Sequence, residues 1–196
     1  MAPPVVLVHG LATSAERTWR DTGWIDLLAD TGREVVAVDL LGHGAADKPH
    51  DPAAYEALED LVLAQLPDGE VDAVGFSLGA RTLLVLASEH PERFRRLVVA
   101  GVGDNLFRTD DSSEALAAVL AGEVDDDGSH PVVAYFRRLA AADDADPLAV
   151  AALLRRPRTR PPASLARRRA LRELPGRLLA GPGATAASGC HSVPVR

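Results

Sequence analysis

The chain has 196 residues, 47% of them hydrophobic, and a formal net charge of −7; this length and apolar content predict one domain with a substantial core and exclude a disordered chain. No apolar run is long enough to span a bilayer, which excludes a membrane-embedded chain. A single cysteine, Cys190, excludes an internal disulfide framework, and no Cys/His spacing suits a zinc site; Met1-Ala2-Pro3-Pro4 lacks the positive segment of a secretory signal, so the cytoplasm is the expected compartment.

Along the chain, short apolar runs alternate with helical patterns. Pro4 to Val8 is a continuous apolar run ending at His9-Gly10, and Trp24 to Thr31 reads as a helix. Glu34 to Asp39 is a second run, followed by a helix over Pro52 to Leu66. Val71 to Phe76 is a third, followed by a helix over Leu78 to Glu89 that is apolar on most faces, and Arg96 to Ala100 is a fourth. Short β-branched runs of this kind suit buried parallel strands, so the predicted class is α/β: a doubly wound, mainly parallel sheet flanked by helices. In such sheets sites form beyond the carboxyl ends of the strands, where His9, Asp39 and Ser77 fall.

Gly75-Phe76-Ser77-Leu78-Gly79 puts a serine between two glycines, with a strand before it and a helix after it. That context predicts a nucleophile elbow: the serine occupies a strained turn, and glycines make room for the turn and for an approaching substrate. Taken with Val5-Val6-Leu7-Val8-His9-Gly10-Leu11 and Asp39-Leu40-Leu41-Gly42-His43-Gly44 followed by Asp47-Lys48-Pro49, the motifs resemble the α/β-hydrolase series in its usual order. The resemblance covers Pro4 to Gly103 well and the end of the chain poorly. It implies a cofactor-free, metal-free hydrolase of esters or related acyl compounds, with Ser77 as nucleophile and an oxyanion site at Gly10, Leu11 and Leu78, whose backbone N–H groups at Leu11 and Leu78 are the donors. His9 and His43 are then expected to shape and hydrogen-bond their loops rather than move protons. An aspartate at the elbow would have pointed to haloalkane chemistry instead.

After Gly101 three short helices are expected: one following Ser112-Ser113 and stopping near Gly122, one over Val132 to Ala142 opened by Pro131, and one over Leu148 to Arg156 capped by Asp146-Pro147. The family likeness makes them a small helical cap over the serine, with Leu106, Phe107, Tyr135 and Phe136 lining the pocket; ordinary packing helices are the alternative. The expected organisation is a hydrolase core over 1–103, a cap-like insertion over 104–156, and an atypical segment over 157–196.

The family order of catalytic groups is serine, acid, histidine, and here the chain departs from it. The acid is expected after the strand candidate Arg177-Leu178-Leu179-Ala180, yet no Asp or Glu follows Glu173. Asp104, just past the Arg96 to Ala100 strand, is the best substitute; Asp143, Asp144 and Asp146 are weaker, and Asp146 is explained as a helix cap. His191, in Gly189-Cys190-His191, is the candidate base, with a surface histidine as the alternative. From Arg155 onward ten arginines face one acid, Glu173, while no aromatic residue is present for base stacking, and the body is acidic. Neither a nucleic-acid nor a membrane partner is therefore expected, and the stretch past about Arg156 reads as a truncated or frame-shifted ending. Two functions stay open: a serine hydrolase acting on a small acyl or ester molecule, or a catalytically impaired relative binding a small apolar ligand or partner.

Overall fold

The computed structural model describes residues 2–103, 112–125, 131–142 and 144–157, together with the backbone of 172–173 and 191–194. Strands β1 (Val5–Val8), β2 (Val35–Val38), β3 (Val71–Phe76) and β4 (Phe94–Ala100) form the parallel part of the sheet. Two further strands, β5 (Arg172–Glu173) and β6 (His191–Pro194), extend it antiparallel beyond β4, giving the order β2-β1-β3-β4-β6-β5. The doubly wound α/β class expected from the runs is what forms. Strand β1 lies inside the sheet because all four of its residues are apolar and buried on both faces. Val6 and Val8 point into the main core with Leu58, Leu83, Leu86 and Phe94, while Val5 and Leu7 pack with Ala15 and Trp19 on the other side.

Helix α1 (Trp24–Ala29) and helix α3 (Leu78–Glu89) start where the patterns place them. The expected helix over Pro52 to Leu66 is divided instead into a 3-10 turn, Pro52–Tyr55, and helix α2 (Leu58–Leu63). Tyr55 causes the break: it is fully buried, and its hydroxyl donates to Pro49 O at 2.7 Å, leaving Ala57 outside helical geometry at φ −101° and ψ 32°. A π-helical turn at Glu16–Arg20 follows the loop after β1, where no periodic pattern marks a helix.

Helices α4 (Ser112–Leu120), α5 (Pro131–Ala140) and α6 (Pro147–Arg155) match the three expected segments. Gly122, at φ +71°, ends the turn after α4, with Glu123 N–H donating to Ala118 O at 2.9 Å. Asp146 caps α6, its Oδ1 accepting from the N–H groups of Leu148 at 2.9 Å and Ala149 at 3.1 Å. These helices share a separate apolar cluster, with Leu116, Ala117, Leu120, Val133, Val150 and Ala151 gathered around Ala12. Ala12 belongs to the loop after β1, so the helical layer rests on the same edge of the sheet that carries Ser77. The strand expected at Arg177 to Ala180 and the pocket candidates Leu106 and Phe107 lie outside the described residues, whereas Tyr135 is half exposed and Phe136 packs against the helical cluster.

Candidate active site

Strand β3 ends at Phe76 and α3 begins at Leu78, so Ser77 alone turns the chain. Its φ of 52° and ψ of −108° lie where a side chain is rarely tolerated, at a cost of about 1–3 kcal/mol. Two hydrogen bonds hold it there: Ser77 N–H donates to Ala100 O at 2.8 Å, and Ser77 O accepts from Arg81 N–H at 3.1 Å. The glycines on either side are required by close approach. A Cβ on Gly75 would come within 2.6 Å of Ala80 Cα, and one on Gly79 within 2.3 Å of Val8 O.

The loop after β1 is drawn against this turn. Gly79 N–H donates to His9 O at 3.0 Å, and a Cβ on Gly10 would lie 3.4 Å from Ser77 Cβ. The Gly10-Leu11 backbone therefore runs beside the serine. Ala12, next along, has φ 55°; among the described residues Ala12 and Ser77 are the non-glycine positions with positive φ. Also among the described residues, no backbone carbonyl accepts from the N–H of Leu11 or of Leu78. Of the expected site residues, Gly10 lies against Ser77, Leu78 directly follows it in the chain, and Leu11 follows Gly10.

Two buried histidines tie this loop to the one after β2. His9 Nδ1–H donates to Gly10 O at 2.7 Å, leaving Nε2 to accept from Leu40 N–H at 3.0 Å. His43 Nδ1–H donates to Leu41 O at 3.2 Å, and its Nε2 accepts from Ala12 N–H at 2.9 Å. Each ring thus holds an amide of the other loop, and their centroids are 5.2 Å apart. Burial pushes both imidazoles toward the neutral form, His43 down to about 4 with help from neighbouring His9, and His9 below its ordinary value. Asp39 completes the tie, Oδ1 accepting from Ala15 N–H at 2.8 Å and Oδ2 from Ala45 N–H at 2.9 Å. Only glycine fits at position 44, where φ is +50° and a Cβ would lie 2.3 Å from the Asp39 carboxyl group.

The remaining candidates are placed as follows. Asp104 and Asp143 lie outside the described residues. Asp144 sits 3.5 Å from Arg17 Nη1, and Asp146, besides capping α6, accepts from His50 Nε2 at 2.9 Å. Burial would raise the Asp146 carboxyl, but His50 and the capped amides hold it below its usual range. The backbone of His191 lies in β6, opposite Val99 of β4 and one position from Ala100, whose carbonyl holds Ser77. Among the described residues no group of three His, Cys, Asp or Glu side chains could hold a metal ion, and no helix is long and apolar enough to cross a membrane.

Two site residues escaped the sequence reading. Gly101 has φ +72°, and a Cβ there would lie 2.9 Å from the Phe76 ring and 3.3 Å from Ser77 N; the Ala100-Gly101-Val102-Gly103 run carried that signal. Ala12 carried none, since alanine ordinarily avoids positive φ.

Residues 3–155 match the family described as alpha/beta hydrolase fold. A pimeloyl-[acyl-carrier protein] methyl ester esterase of Neisseria meningitidis is 41% identical over 91 residues, 46% of this chain and 34% of that protein. A 2-hydroxymuconate semialdehyde hydrolase of Pseudomonas sp. (strain CF600) is 33% identical over 143 residues, 69% of this chain and 46% of that protein. The matches thus span less than half the length of these curated relatives. Among solved structures, the bottromycin epimerase BotH shares the fold, with a TM-score of 0.56 at 24% identity, covering 82% of this chain and 69% of that one.

Proposed function

We propose that this chain, which belongs to the α/β-hydrolase fold family, is a serine hydrolase that cleaves a carboxylic ester or related acyl compound through an acyl-enzyme. The observation that carries this reading is the strained Ser77, wedged between Gly75 and Gly79 with the Gly10-Leu11 backbone against it. A serine that is merely structural has no need of a conformation costing about 1–3 kcal/mol. The names of the esterase and hydrolase relatives support the same chemistry.

In the proposed reaction Ser77 Oγ attacks the acyl carbon as its proton passes to an imidazole base, and the carbonyl oxygen becomes an oxyanion facing the N–H groups of Leu11 and Leu78. The C–O bond to the leaving alcohol then breaks, and the alcohol takes the proton from the base. Water, deprotonated by the same base, releases the acid and restores Ser77. We assign the base to His191 and its orienting carboxylate to Asp104, and read α4 to α6 as a cap over the serine, which makes 1–103, 104–156 and 157–196 the functional divisions. The proposed partner is a small acyl or ester molecule, and the proposed compartment is the cytoplasm.

A fluorophosphonate probe, read by intact mass, tests the reading. Wild-type protein is expected to gain one adduct that Ser77→Ala does not. Folded wild-type protein without an adduct would overturn it in favour of a non-catalytic protein that binds a small apolar ligand.

A further inference from the structure

We propose that His43 is a positioning residue for this reaction: by accepting the Ala12 N–H, it holds the left-handed turn that sets the Leu11 N–H beside Ser77. The inference rests on the serine-hydrolase reading. Ala12 sits one residue past Leu11, at φ 55°, a conformation alanine does not keep by itself. Something outside the loop must hold it, and the 2.9 Å bond from Ala12 N–H to His43 Nε2 is fully buried. Apolar packing by α4 to α6 seals Ala12 on its other side but has no direction, so it cannot choose between peptide orientations. His43 can, because its Nδ1–H donates to Leu41 O and so leaves Nε2 as the acceptor aimed at Ala12. Only the neutral ring does this. The charged or titratable groups acting on it are His9, Asp39 and Lys48.

The geometry reaches the reacting centre in two steps. The Leu11 N–H belongs to the Gly10-Leu11 peptide, whose carbonyl accepts from His9 Nδ1–H at 2.7 Å; fixing Ala12 N–H fixes the next peptide plane, Leu11-Ala12, and with it the other side of Leu11. The preceding residue is already pinned: Gly10 lies against Ser77, and His9 O accepts from Gly79 N–H at 3.0 Å. Leu11 is therefore clamped from both ends, by His9 and α3 on one side and by His43 on the other. An oxyanion donor works only if it is in place before charge develops, and losing one costs about a hundred- to a thousandfold in rate. A displaced donor costs part of that, and costs it in kcat rather than in ground-state binding.

Two amide variants separate this role from simple packing. In His43→Asn the side-chain amide reaches only as far as Nδ1, keeping the donor to Leu41 but losing the acceptor for Ala12. In His43→Gln the carbonyl oxygen extends to the position of Nε2 and restores it. With p-nitrophenyl butyrate, His43→Asn is expected to lose about 10- to 100-fold in kcat with KM within about twofold, and His43→Gln to stay within about fivefold of wild type. The inference is overturned if both variants keep kcat, if both lose it equally, or if the loss falls in KM. Should neither variant fold, amide exchange in wild-type protein decides: a strongly protected Ala12 N–H supports the inference, and one exchanging like an open loop amide overturns it. Wild-type protein without Ser77-dependent turnover overturns the hydrolase reading itself, an outcome distinct from active wild type with indifferent variants.

Discussion

Beside Ser77, the loops after β1 and β2 are joined by hydrogen bonds of fixed direction: buried ones between His9 and Leu40 and between His43 and Ala12, and a part-buried one between Asp39 and Ala15. The helices α4 to α6 above them are joined instead by an apolar cluster and by solvent-facing ion pairs, Arg155 to Glu114 at 3.0 Å and to Glu123 at 2.6 Å. The first kind of contact weakens as its atoms move apart or out of line, leaving a buried donor poorly partnered. The second survives small slides, because apolar contact has no preferred direction. Directional placement is thus concentrated in the loops, and the helical layer meets them mainly through apolar packing, with a few polar contacts, Arg17 to Leu139 O and to Asp144, and His50 to Asp146.

Three experiments try that contrast, in descending order of effect. Gly79→Ala attacks the rigid side at its tightest point, where a Cβ would meet Val8 O and His9 O at 2.3 and 2.5 Å. Backbone cannot yield as a side-chain tip can, so the variant is expected to lose about 3 kcal/mol or more, read as a shift in the urea midpoint. A variant as stable as wild type would show that the loops have more play than described. Acid attacks the same side more gently. In the folded chain His43 resists protonation until about pH 4, whereas unfolded it takes up a proton near 6.5; between those values the unfolded chain binds the extra proton, so stability falls as the pH drops. Across the whole window the loss is on the order of 3 kcal/mol, and His9, shifted in the same direction, adds to it. Calorimetry at a series of pH values should show Tm falling below about pH 6.5; a flat Tm down to pH 4 would contradict the buried neutral pair. Arg155→Ala tests the other side. Although Arg155 bridges two helix ends, its partners are exposed, and the expected change in Tm is no more than about 2 °C. A larger loss would mean that the helical layer depends on directional contacts as well.

Much of this arrangement could be read from residues that obey local rules. The Val5 to Val8 and Val71 to Phe76 runs, the start of α3, and the Gly-x-Ser-x-Gly turn all follow from short-range preferences, and they form where expected. What could not be read is set by partners distant in the chain. Tyr55 breaks its helix because a core position and Pro49 O claim it, and Ala12 turns left-handed beside a histidine 31 residues away. No periodicity announces either event. The proposed acid and base stand apart for another reason: the serine has its motif around it, whereas Asp104 and His191 have no comparable local pattern. Asp104 lies outside the described residues, and His191 is placed only by its backbone in β6.

The strand order also bears on how the molecule comes into being. Strand β1 leaves the ribosome before either of its partners, which lie far along the chain: Val6 sits beside Val36 on one edge and Ala73 on the other. Loops of that length close slowly, and until they do an apolar strand has both edges open to unwanted association. The last link to the Gly10 turn comes from Gly79, later still. Ser77 therefore gains the neighbours that hold its turn, Ala100 O among them, only once β1, β3 and β4 have all been made, so a half-made chain exposes apolar strand edges before that strained turn is held.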